Sequence, residues 1–404
     1  MKQALKIEDL RDRARSILPK WVFDYLEGGV EDETCLTRNI QSLGEVQFNP
    51  RRLVDVSKRS QQIELLGSKF SSPFIVGPTG LNDLFWPKGD LALAHAAALE
   101  GVPFVLSTAS SSTMEDVADA TNGDWWFQLY VLDRDNALRL VNRAQVAGCK
   151  TLMITVDVTL NGNRERDLRN GFGTRLGLKS IIDTLCHPRW LARTMRFGAP
   201  LLAHFQEQSN DSCIRTRAAV LRRSMDATFD WESFSRLRDL WPGILIVKGL
   251  LRLDDVVKAY ERGADAVVLS NHGGRQLDFA PSAFNVLQEV APFVDKPILL
   301  DGGIRRGSDV VKARALGASA VLLGRAPLYG LAAAGQWGAV EALRLIKKEI
   351  DNTLGQIGYP HIRDLRPDCL KLMRSSSGSY ADTVIPAVSE SPRPPSTHLM
   401  GQNS

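Results

Sequence analysis

The residues most able to do chemistry lie in one stretch, residues 270–278, which reads Ser-Asn-His-Gly-Gly-Arg-Gln-Leu-Asp. It follows the apolar run 264–269, which is typical of a buried parallel strand. A histidine can exchange a proton near neutral pH, and an arginine can hold a carboxylate through two parallel hydrogen bonds. His272 and Arg275 together therefore indicate a site for a small hydroxy acid. A glycine-rich loop with a structural histidine is the alternative, and the close spacing of these residue types at one strand end disfavours it.

Two glycine turns followed by helical patterns indicate a phosphate site next to this one. Residues 301–306 read Asp-Gly-Gly-Ile-Arg-Arg, and Gly324-Arg325 follows the next apolar run. Backbone N–H groups and the helix dipole bind anions at such turns, and an arginine neutralises them. Ordinary glycine turns with solvated arginines are the alternative. Two such turns at adjacent strand ends favour a phosphate-bearing ligand.

Oxidation of a 2-hydroxy acid requires a redox cofactor, because no protein side chain accepts a hydride. No G-x-G-x-x-G motif follows a predicted strand, so a dinucleotide-binding fold is not indicated. Flavin mononucleotide (FMN), with its single phosphate, satisfies both requirements.

The elements that must position these groups are short apolar runs alternating with amphipathic segments, which indicates an α/β fold, a (β/α)8 TIM barrel. The eight runs span residues 73–77, 103–107, 126–130, 152–157, 245–249, 266–270, 297–301 and 320–324. Nearly every run ends in a polar or small residue. Barrel enzymes collect their chemistry at that rim, whereas a doubly wound sheet, the competing architecture, concentrates it at one switch point.

Composition narrows the class of protein further. The chain of 404 residues is 44% hydrophobic and 24% charged, which suffices for a full core. Its net charge of +4 comes without a basic run interleaved with aromatics, so nucleic-acid binding is not indicated. Five scattered cysteines without a C-x-x-C motif argue against a disulfide framework and a metal site, and favour a reducing compartment. Without a signal-peptide core, the sequence predicts a cytoplasmic or cytoplasm-facing protein.

Two regions depart from the strand–helix repeat. A long insertion, about residues 160–243, separates the fourth and fifth strands, and Ser, Pro and Gly dominate residues 374–404, which predicts a disordered tail. We therefore expect a single FMN-binding barrel domain over residues 1–373. An N-terminal helical extension precedes the first strand and contains a helix ended by glycines at Tyr25-Leu26-Glu27-Gly28-Gly29.

The motifs SNHGGRQLD, DGGIRRG, LLGR and YLEGG, with the strand end Thr155-Val156-Asp157, resemble those of the FMN-dependent 2-hydroxy acid dehydrogenases and oxidases. The resemblance covers about residues 7–370. Three further stretches, residues 76–82, 161–167 and 187–190, are most similar to the bacterial members of the family that oxidise (S)-mandelate.

This resemblance implies a role for each residue at the rim. His272 would be the active-site base, paired with Asp157. Arg164 and Arg275 would bind the substrate carboxylate, and Tyr25 and Tyr130 would hydrogen-bond substrate oxygens. Lys248 would offset negative charge on the reduced flavin. The flavin ring would be contacted by Pro78, Thr79, Gly80, Ser107, Gln128, Thr155 and Ser270. The phosphate side would be held by Asp301, Gly302, Gly303, Arg305, Gly324 and Arg325. Taken singly, Tyr25 could instead be a packing residue, Lys248 a surface lysine and Asp157 a helix cap.

Gly80 bears on the substrate and on the electron acceptor. Family members that react rapidly with oxygen usually carry an alanine there, so Gly80 leaves room for an aryl group and favours a dehydrogenase. The expected reaction is oxidation of (S)-mandelate to benzoylformate. The alternatives are L-lactate dehydrogenase, a soluble glycolate or lactate oxidase that makes hydrogen peroxide, and a flavin-binding protein without turnover.

Residues 175–205 have the composition of an element lying on a membrane surface. Arg175, Lys179, Arg189, Arg193 and Arg196 accompany a single acid, Asp183, and the apolar positions include aromatics. A loop that caps the barrel is the alternative. The resemblance favours a peripheral protein on the cytoplasmic side of the inner membrane. It further implies quinone or another membrane electron acceptor as partner, and a homotetramer.

Overall fold

The computed structural model describes residues 3–172, 176–198, 201–204 and 226–372. The predicted tail, and within the 175–205 segment the residues 175, 199–200 and 205, lie outside these ranges.

Eight parallel strands close into a barrel, as the sequence predicts. Those strands are β4 (Phe74–Val76), β5 (Phe104–Ser107), β6 (Trp125–Leu129), β7 (Thr151–Thr155), β8 (Ile244–Leu250), β9 (Ala266–Leu269), β10 (Ile298–Asp301) and β11 (Ala320–Leu323). Around the barrel their order is β10-β11-β4-β5-β6-β7-β8-β9. Outside the barrel are β1 (Val46–Phe48) paired with β12 (Leu370–Leu372), and β2 (Ile63–Leu65) paired with β3 (Ser68–Phe70).

Helices surround the barrel and extend it at the N-terminus. Their bounds are α1 (Ile7–Ile17), α2 (Lys20–Glu27), α3 (Thr34–Gly44), α4 (Gly89–Leu99), α5 (Met114–Ala120), α6 (Arg134–Val146), α7 (Glu165–Arg169), α8 (Leu178–Leu185), α9 (Pro188–Phe197), α10 (Trp231–Leu240), α11 (Leu253–Glu261), α12 (Ala283–Val290), α13 (Gly307–Ala315) and α14 (Arg325–Ile357). The last is kinked where Ala334 and Gly335 leave helical geometry. The glycine-ended helix of the N-terminal extension is α2, which stops at Gly28.

The strands are apolar on both faces because both faces are covered. The barrel interior takes at least one buried side chain from each strand: Ile75, Val105, Trp126, Met153, Ile246, Val268, Leu299 and Leu322. The alternate residues of the strands pack outward in a second core with the helices. This two-sided burial explains why the strands read as continuous Val, Ile and Leu runs and lack polar alternation.

The insertion after β7 carries α7, α8 and α9, and α10 then leads into β8. Helices α8 and α9 are docked near α2 and the loop after β4. Trp190 is buried and its Nε1 donates to the Leu84 carbonyl at 2.8 Å, while the Trp21 Nε1 donates to Thr184 Oγ1 at 3.0 Å. Within the described ranges, no helix combines the length and apolarity needed to cross a membrane.

Candidate active site

The carboxyl end of β9 presents an imidazole that is hydrogen-bonded on both ring nitrogens. His272 Nδ1 lies 2.9 Å from Asp157 Oδ1, just past the end of β7, and Nε2 lies 3.3 Å from the Tyr130 hydroxyl, just past β6. The backbone of His272 has φ +57°, a left-handed conformation that costs a non-glycine residue about 1–2 kcal/mol. Such strain is typical of functional turns held in place by their surroundings.

The electrostatics of this pair favour a neutral imidazole beside an ionised carboxylate. Burial lowers the pKa of His272, and the negative charge of Asp157 only partly opposes this shift. Burial alone would raise the pKa of Asp157, but its interactions with His272, including the hydrogen bond, and with the Lys248 ammonium outweigh it and hold the pKa below its usual value. With Nδ1–H donating to Asp157, the Nε2 lone pair is the basic site, and it lies at the barrel mouth.

Lys248, on β8, is almost fully buried in a small polar cluster. Its Nζ lies 3.1 Å from Asp301 Oδ2 and 3.0 Å from Ser270 Oγ, and Ser270 Oγ in turn donates to Asp301 Oδ2 at 2.8 Å. Burial alone would lower the pKa of the Lys248 ammonium, but Asp301 and Asp157 raise it above its usual value. The ammonium is therefore a fixed positive charge at the centre of the rim.

Parallel pairing places three further polar side chains in a row. Ser107 is in register with Gln128, and Thr155 with Lys248. Ser107 Oγ donates to Gln128 Oε1 at 2.8 Å, and Gln128 Nε2 donates to Thr155 Oγ1 at 3.0 Å. All three are buried, so the row forms an oriented floor beneath the mouth.

These groups surround a solvent-open cavity at the carboxyl ends of the strands. The sequence-predicted residues that line it are Tyr25, Pro78, Thr79, Gly80, Ser107, Tyr130, Arg164, Lys248, His272, Arg275, Asp301, Gly302, Gly303, Arg305, Gly324 and Arg325. Asp157, Gln128, Thr155 and Ser270 lie directly behind them, through the hydrogen bonds described above. The predicted set thus converges on one mouth from the N-terminal extension, the insertion and strand ends around the barrel.

One side of the cavity concentrates positive charge. Arg325 is the first residue of α14, and burial together with the charges of Arg275 and Arg305 lowers the pKa of its guanidinium to about 10. This mutual repulsion would be relieved by a bound dianion. The guanidinium of Arg325 also donates to three backbone carbonyls, those of Leu26, Gly28 and Gly273.

The guanidinium of Arg275 is engaged with α2. Its Nη1 donates to the carbonyls of Tyr25 at 2.9 Å and Gly28 at 2.7 Å, and its Cζ lies 5.2 Å from the centre of the Tyr25 ring. Arg164, which precedes α7, donates from Nε to the Arg275 carbonyl at 3.4 Å. The N-terminal extension and the insertion are thereby fastened to the loop that carries His272.

Comparison with known proteins decides the family. Residues 14–372 match the model of the FMN-dependent dehydrogenases. The chain belongs to the FMN-dependent dehydrogenase family. It is 52% identical over 381 residues to (S)-mandelate dehydrogenase of Pseudomonas putida, covering 94% of this chain and 97% of that protein. It is 37% identical to a peroxisomal (S)-2-hydroxyacid oxidase of Arabidopsis thaliana, covering 90% and 96%.

Solved structures agree with this membership. The crystal structure of the monotopic membrane protein (S)-mandelate dehydrogenase is 51% identical, with a TM-score of 0.89 over 92% of this chain and 100% of that one. As a member of this family, the chain is an FMN-dependent 2-hydroxy acid dehydrogenase, and FMN is its cofactor.

The cavity fits this cofactor. The hydroxyl of Thr79 is buried in the cavity wall with no hydrogen-bond partner among the residues that the structure describes, which leaves it for a polar atom of the ligand. A Cβ at Gly324 would meet nothing within 4 Å, which leaves the N-terminus of α14 open to an anion. The clustered arginines supply the matching charge. Among the described residues no cluster of side chains suited to a metal ion occurs.

Sequence reasoning missed the apolar part of the cavity wall. Leu26, Phe85, Ala109, Ile304, Leu322 and Leu328 line it together with Gly273. These side chains have no chemistry to mark them, and Phe85 reaches the mouth only because the loop after β4 folds back through a short 3-10 turn at Asn82–Leu84. Beside them, a Cβ at Gly80 would lie 2.9 Å from the Cβ of Ala109, so an alanine there would displace a neighbour.

Proposed function

We propose that this chain oxidises (S)-mandelate to benzoylformate, with His272 as the catalytic base. The observation that carries the proposal is the His272–Asp157 pair beside paired arginines in a cavity with an apolar wall. Identity of 52% to a mandelate dehydrogenase over almost the whole chain supports the substrate.

The base acts through Nε2. Since Nδ1–H donates to Asp157, the Nε2 lone pair accepts the substrate proton, and the carboxylate then stabilises the imidazolium that forms. A lowered pKa keeps His272 unprotonated and ready at neutral pH. Arg164 and Arg275 bind the substrate carboxylate, and Tyr25 and Tyr130 hydrogen-bond its oxygens.

FMN, when bound, supplies the two-electron acceptor that the side chains lack. The Lys248 ammonium, a buried positive charge in the cavity lining, would offset negative charge on the reduced ring. Pro78, Thr79, Gly80, Ser107, Gln128, Thr155 and Ser270 would contact the ring. Asp301, Gly302, Gly303, Arg305, Gly324 and Arg325 would hold the phosphate side, with Arg325 also bracing α2.

The apolar wall suits an aryl substituent. Phe85 and the Tyr25 ring are stacked with centroids 6.2 Å apart, and both line the cavity. Gly80 and Ala109 add only small side chains to the same cavity lining, which leaves space for a phenyl ring. A smaller substrate such as L-lactate would leave that space unfilled and lose apolar burial.

We further propose that helices α8 and α9 hold the enzyme on the cytoplasmic face of the inner membrane, where quinone accepts the electrons. The two helices expose Leu178, Ile181, Ile182, Leu185, Met195 and Phe197. Lys179, Arg189 and Arg196 are exposed beside them, which suits anionic headgroups. The monotopic relative supports this placement. The homotetramer remains a prediction from the family resemblance.

Anaerobic reduction of the bound flavin by a panel of 2-hydroxy acids tests the substrate. We expect (S)-mandelate to bleach the flavin with the highest second-order rate constant, at least tenfold above L-lactate and glycolate, and (R)-mandelate to be inert. A preference for L-lactate would refute the mandelate assignment. Peroxide formation in air as fast as dye reduction would instead identify an oxidase.

A further inference from the structure

Besides His272 and Arg275, the motif of residues 270–278 contains Asn271 and Asp278, and both side chains hydrogen-bond to helix α3. One stripe of α3 lies along the segment that runs from Asn271 to Ser282. Cys35 N donates to Asp278 Oδ1 at 2.8 Å, and Ser42 Oγ lies 2.7 Å from Ser282 Oγ. The stripe therefore docks an element from outside the barrel onto the loop that carries His272.

At the centre of this stripe two buried amides form a reciprocal pair. Asn39 Nδ2 donates to Asn271 Oδ1 at 2.8 Å, and Asn271 Nδ2 donates to Asn39 Oδ1 at 2.7 Å. Asn271 also accepts from Gly274 N at 3.2 Å and donates to the Pro281 carbonyl at 2.9 Å. The Asn271 amide thus spans the turn that contains His272 and fixes both of its ends.

Asn39 also lies against the glycine turn after β10, which is the predicted phosphate turn. Gly303 has φ +81°, and a Cβ there would collide with the backbone carbonyl of Asn39. A Cβ at Gly302 would lie 3.4 Å from the Asn39 side-chain amide and 3.6 Å from Asn271 Oδ1. Asn39 therefore contacts the loop after β9 and the turn after β10 at once.

Asp278, the last residue of the 270–278 motif, makes a further contact with α3. Glu33 precedes α3 but provides no side-chain cap, so the first turn of the helix has N–H groups to satisfy. The fully buried Asp278 accepts the Cys35 N–H and so caps α3 from the other side of the loop. A strained turn at His272 persists only when its surroundings hold it, and these contacts do so.

We propose that Asn39 is a positioning residue that holds the His272 loop and the Gly302–Gly303 turn in one fixed arrangement. Through its amide pair with Asn271, α3 orients the base, and the same Asn39 side-chain amide lies against Gly302 and so shapes the turn that receives the cofactor phosphate. The first half of this inference rests on the role of His272 proposed above, and the second half does not.

The test compares Asn39→Ala and Asn271→Ala with Ser42→Ala in the full-length protein. Ser42→Ala removes an equally buried hydrogen bond between α3 and the same segment, together with a 3.4 Å contact from Ser42 Oγ to the Asn39 carbonyl, but it leaves the Asn39–Asn271 amide pair intact. Two quantities are measured, and neither depends on the yield of folded protein. They are the limiting rate constant of anaerobic flavin reduction by (S)-mandelate per bound flavin, and the dissociation constant of FMN.

We expect Asn39→Ala to lower the limiting rate by about tenfold or more and to weaken FMN binding by about tenfold, because small displacements of reacting groups have large kinetic effects. The double variant Asn39→Ala/Asn271→Ala should lose no more rate than the worse single variant, since both remove one interaction. Ser42→Ala should lower the melting temperature while keeping both quantities within twofold.

Two results would overturn the proposal: an Asn39→Ala effect no larger than that of Ser42→Ala, or additive losses in the double variant. If Asn39→Ala does not fold, Asn271→Ala breaks the same amide pair, and its limiting rate of flavin reduction then tests the orientation of His272. If Asn39→Ala weakens FMN binding but leaves the limiting rate of flavin reduction unchanged, only the claim that Asn39 orients the base is refuted. That outcome is distinct from failure of His272 as base, which its own substitution measures.

Discussion

At the scale of single residues, the site depends on how three buried ionisable groups set one another's protonation. Burial lowers the pKa of His272, the charge of Asp157 raises it, and the charge of Lys248 lowers it further. The balance leaves a neutral imidazole at pH 7 whose proton-accepting nitrogen is defined by the Asp157 contact. A surface histidine with the same sequence neighbours would have no such constraint.

Asp157→Asn tests this balance through the pH profile. Without the carboxylate, the pKa of His272 should fall further, so the acidic limb of the rate against pH should move to lower pH. The plateau rate should nevertheless drop by two or more orders of magnitude, because the imidazolium formed in the reaction loses its counter-charge. Stopped-flow flavin reduction between pH 5 and 9 measures both effects. An acidic limb that moves to higher pH would contradict the assignment.

At the scale of elements, loops after neighbouring strands are tied together by buried carboxylates. Asp90, in the first turn of α4, accepts from Asn82 Nδ2 at 2.6 Å and from the backbone N–H of Ser111 at 2.8 Å and Ser112 at 3.2 Å. Asn82 in turn donates to the Thr79 carbonyl at 3.3 Å. The Thr79-Gly80 wall of the cavity is thereby connected to the loop after β5.

Asp90 also makes stability depend on pH in a defined direction. Burial, reinforced by the nearby Asp83, raises its pKa from 3.8 to about 7 in the folded protein. Between these values the unfolded chain loses the proton and the folded protein keeps it, so rising pH costs stability until about pH 7. We expect wild type to lose stability relative to Asp90→Asn from pH 4 to 7, and no further above pH 8. Urea unfolding at fixed FMN concentration measures this difference; a constant difference would contradict the ionisation behaviour.

At the scale of the whole molecule, the features that could be predicted from the sequence are those that depend on local residue patterns, namely the barrel strands and the residues at their ends. The barrel strands follow from apolar runs that are buried on both faces, and the rim residues follow from what stands at their ends. The docking of α3 could not be predicted, because Asn39 and Asn271 are 232 residues apart and nothing in the sequence around either asparagine identifies the other as its partner. The engagement of Arg275 and Arg325 with carbonyls of α2 was missed for the same reason.

Membrane attachment is also a property of the whole molecule. The variant Ile181→Ser/Ile182→Ser/Phe197→Ser should lose about tenfold or more of its binding to vesicles that contain anionic lipid, because it removes three of the six exposed apolar side chains of α8 and α9. A control with equally exposed apolar residues elsewhere, Val146→Ser/Leu240→Ser/Phe293→Ser, should bind as wild type does. Vesicle flotation measures binding. Unchanged flotation of the first variant would refute the membrane assignment.

The central claim is that His272 takes the substrate proton, and anaerobic flavin reduction by His272→Ala tests it most directly. The variant should bind FMN and show the absorption spectrum of the oxidised flavin, since the cofactor contacts lie elsewhere in the cavity. Its rate of flavin reduction by (S)-mandelate should fall by several orders of magnitude at every pH. Reduction within tenfold of the wild-type rate, with FMN fully bound, would contradict the account.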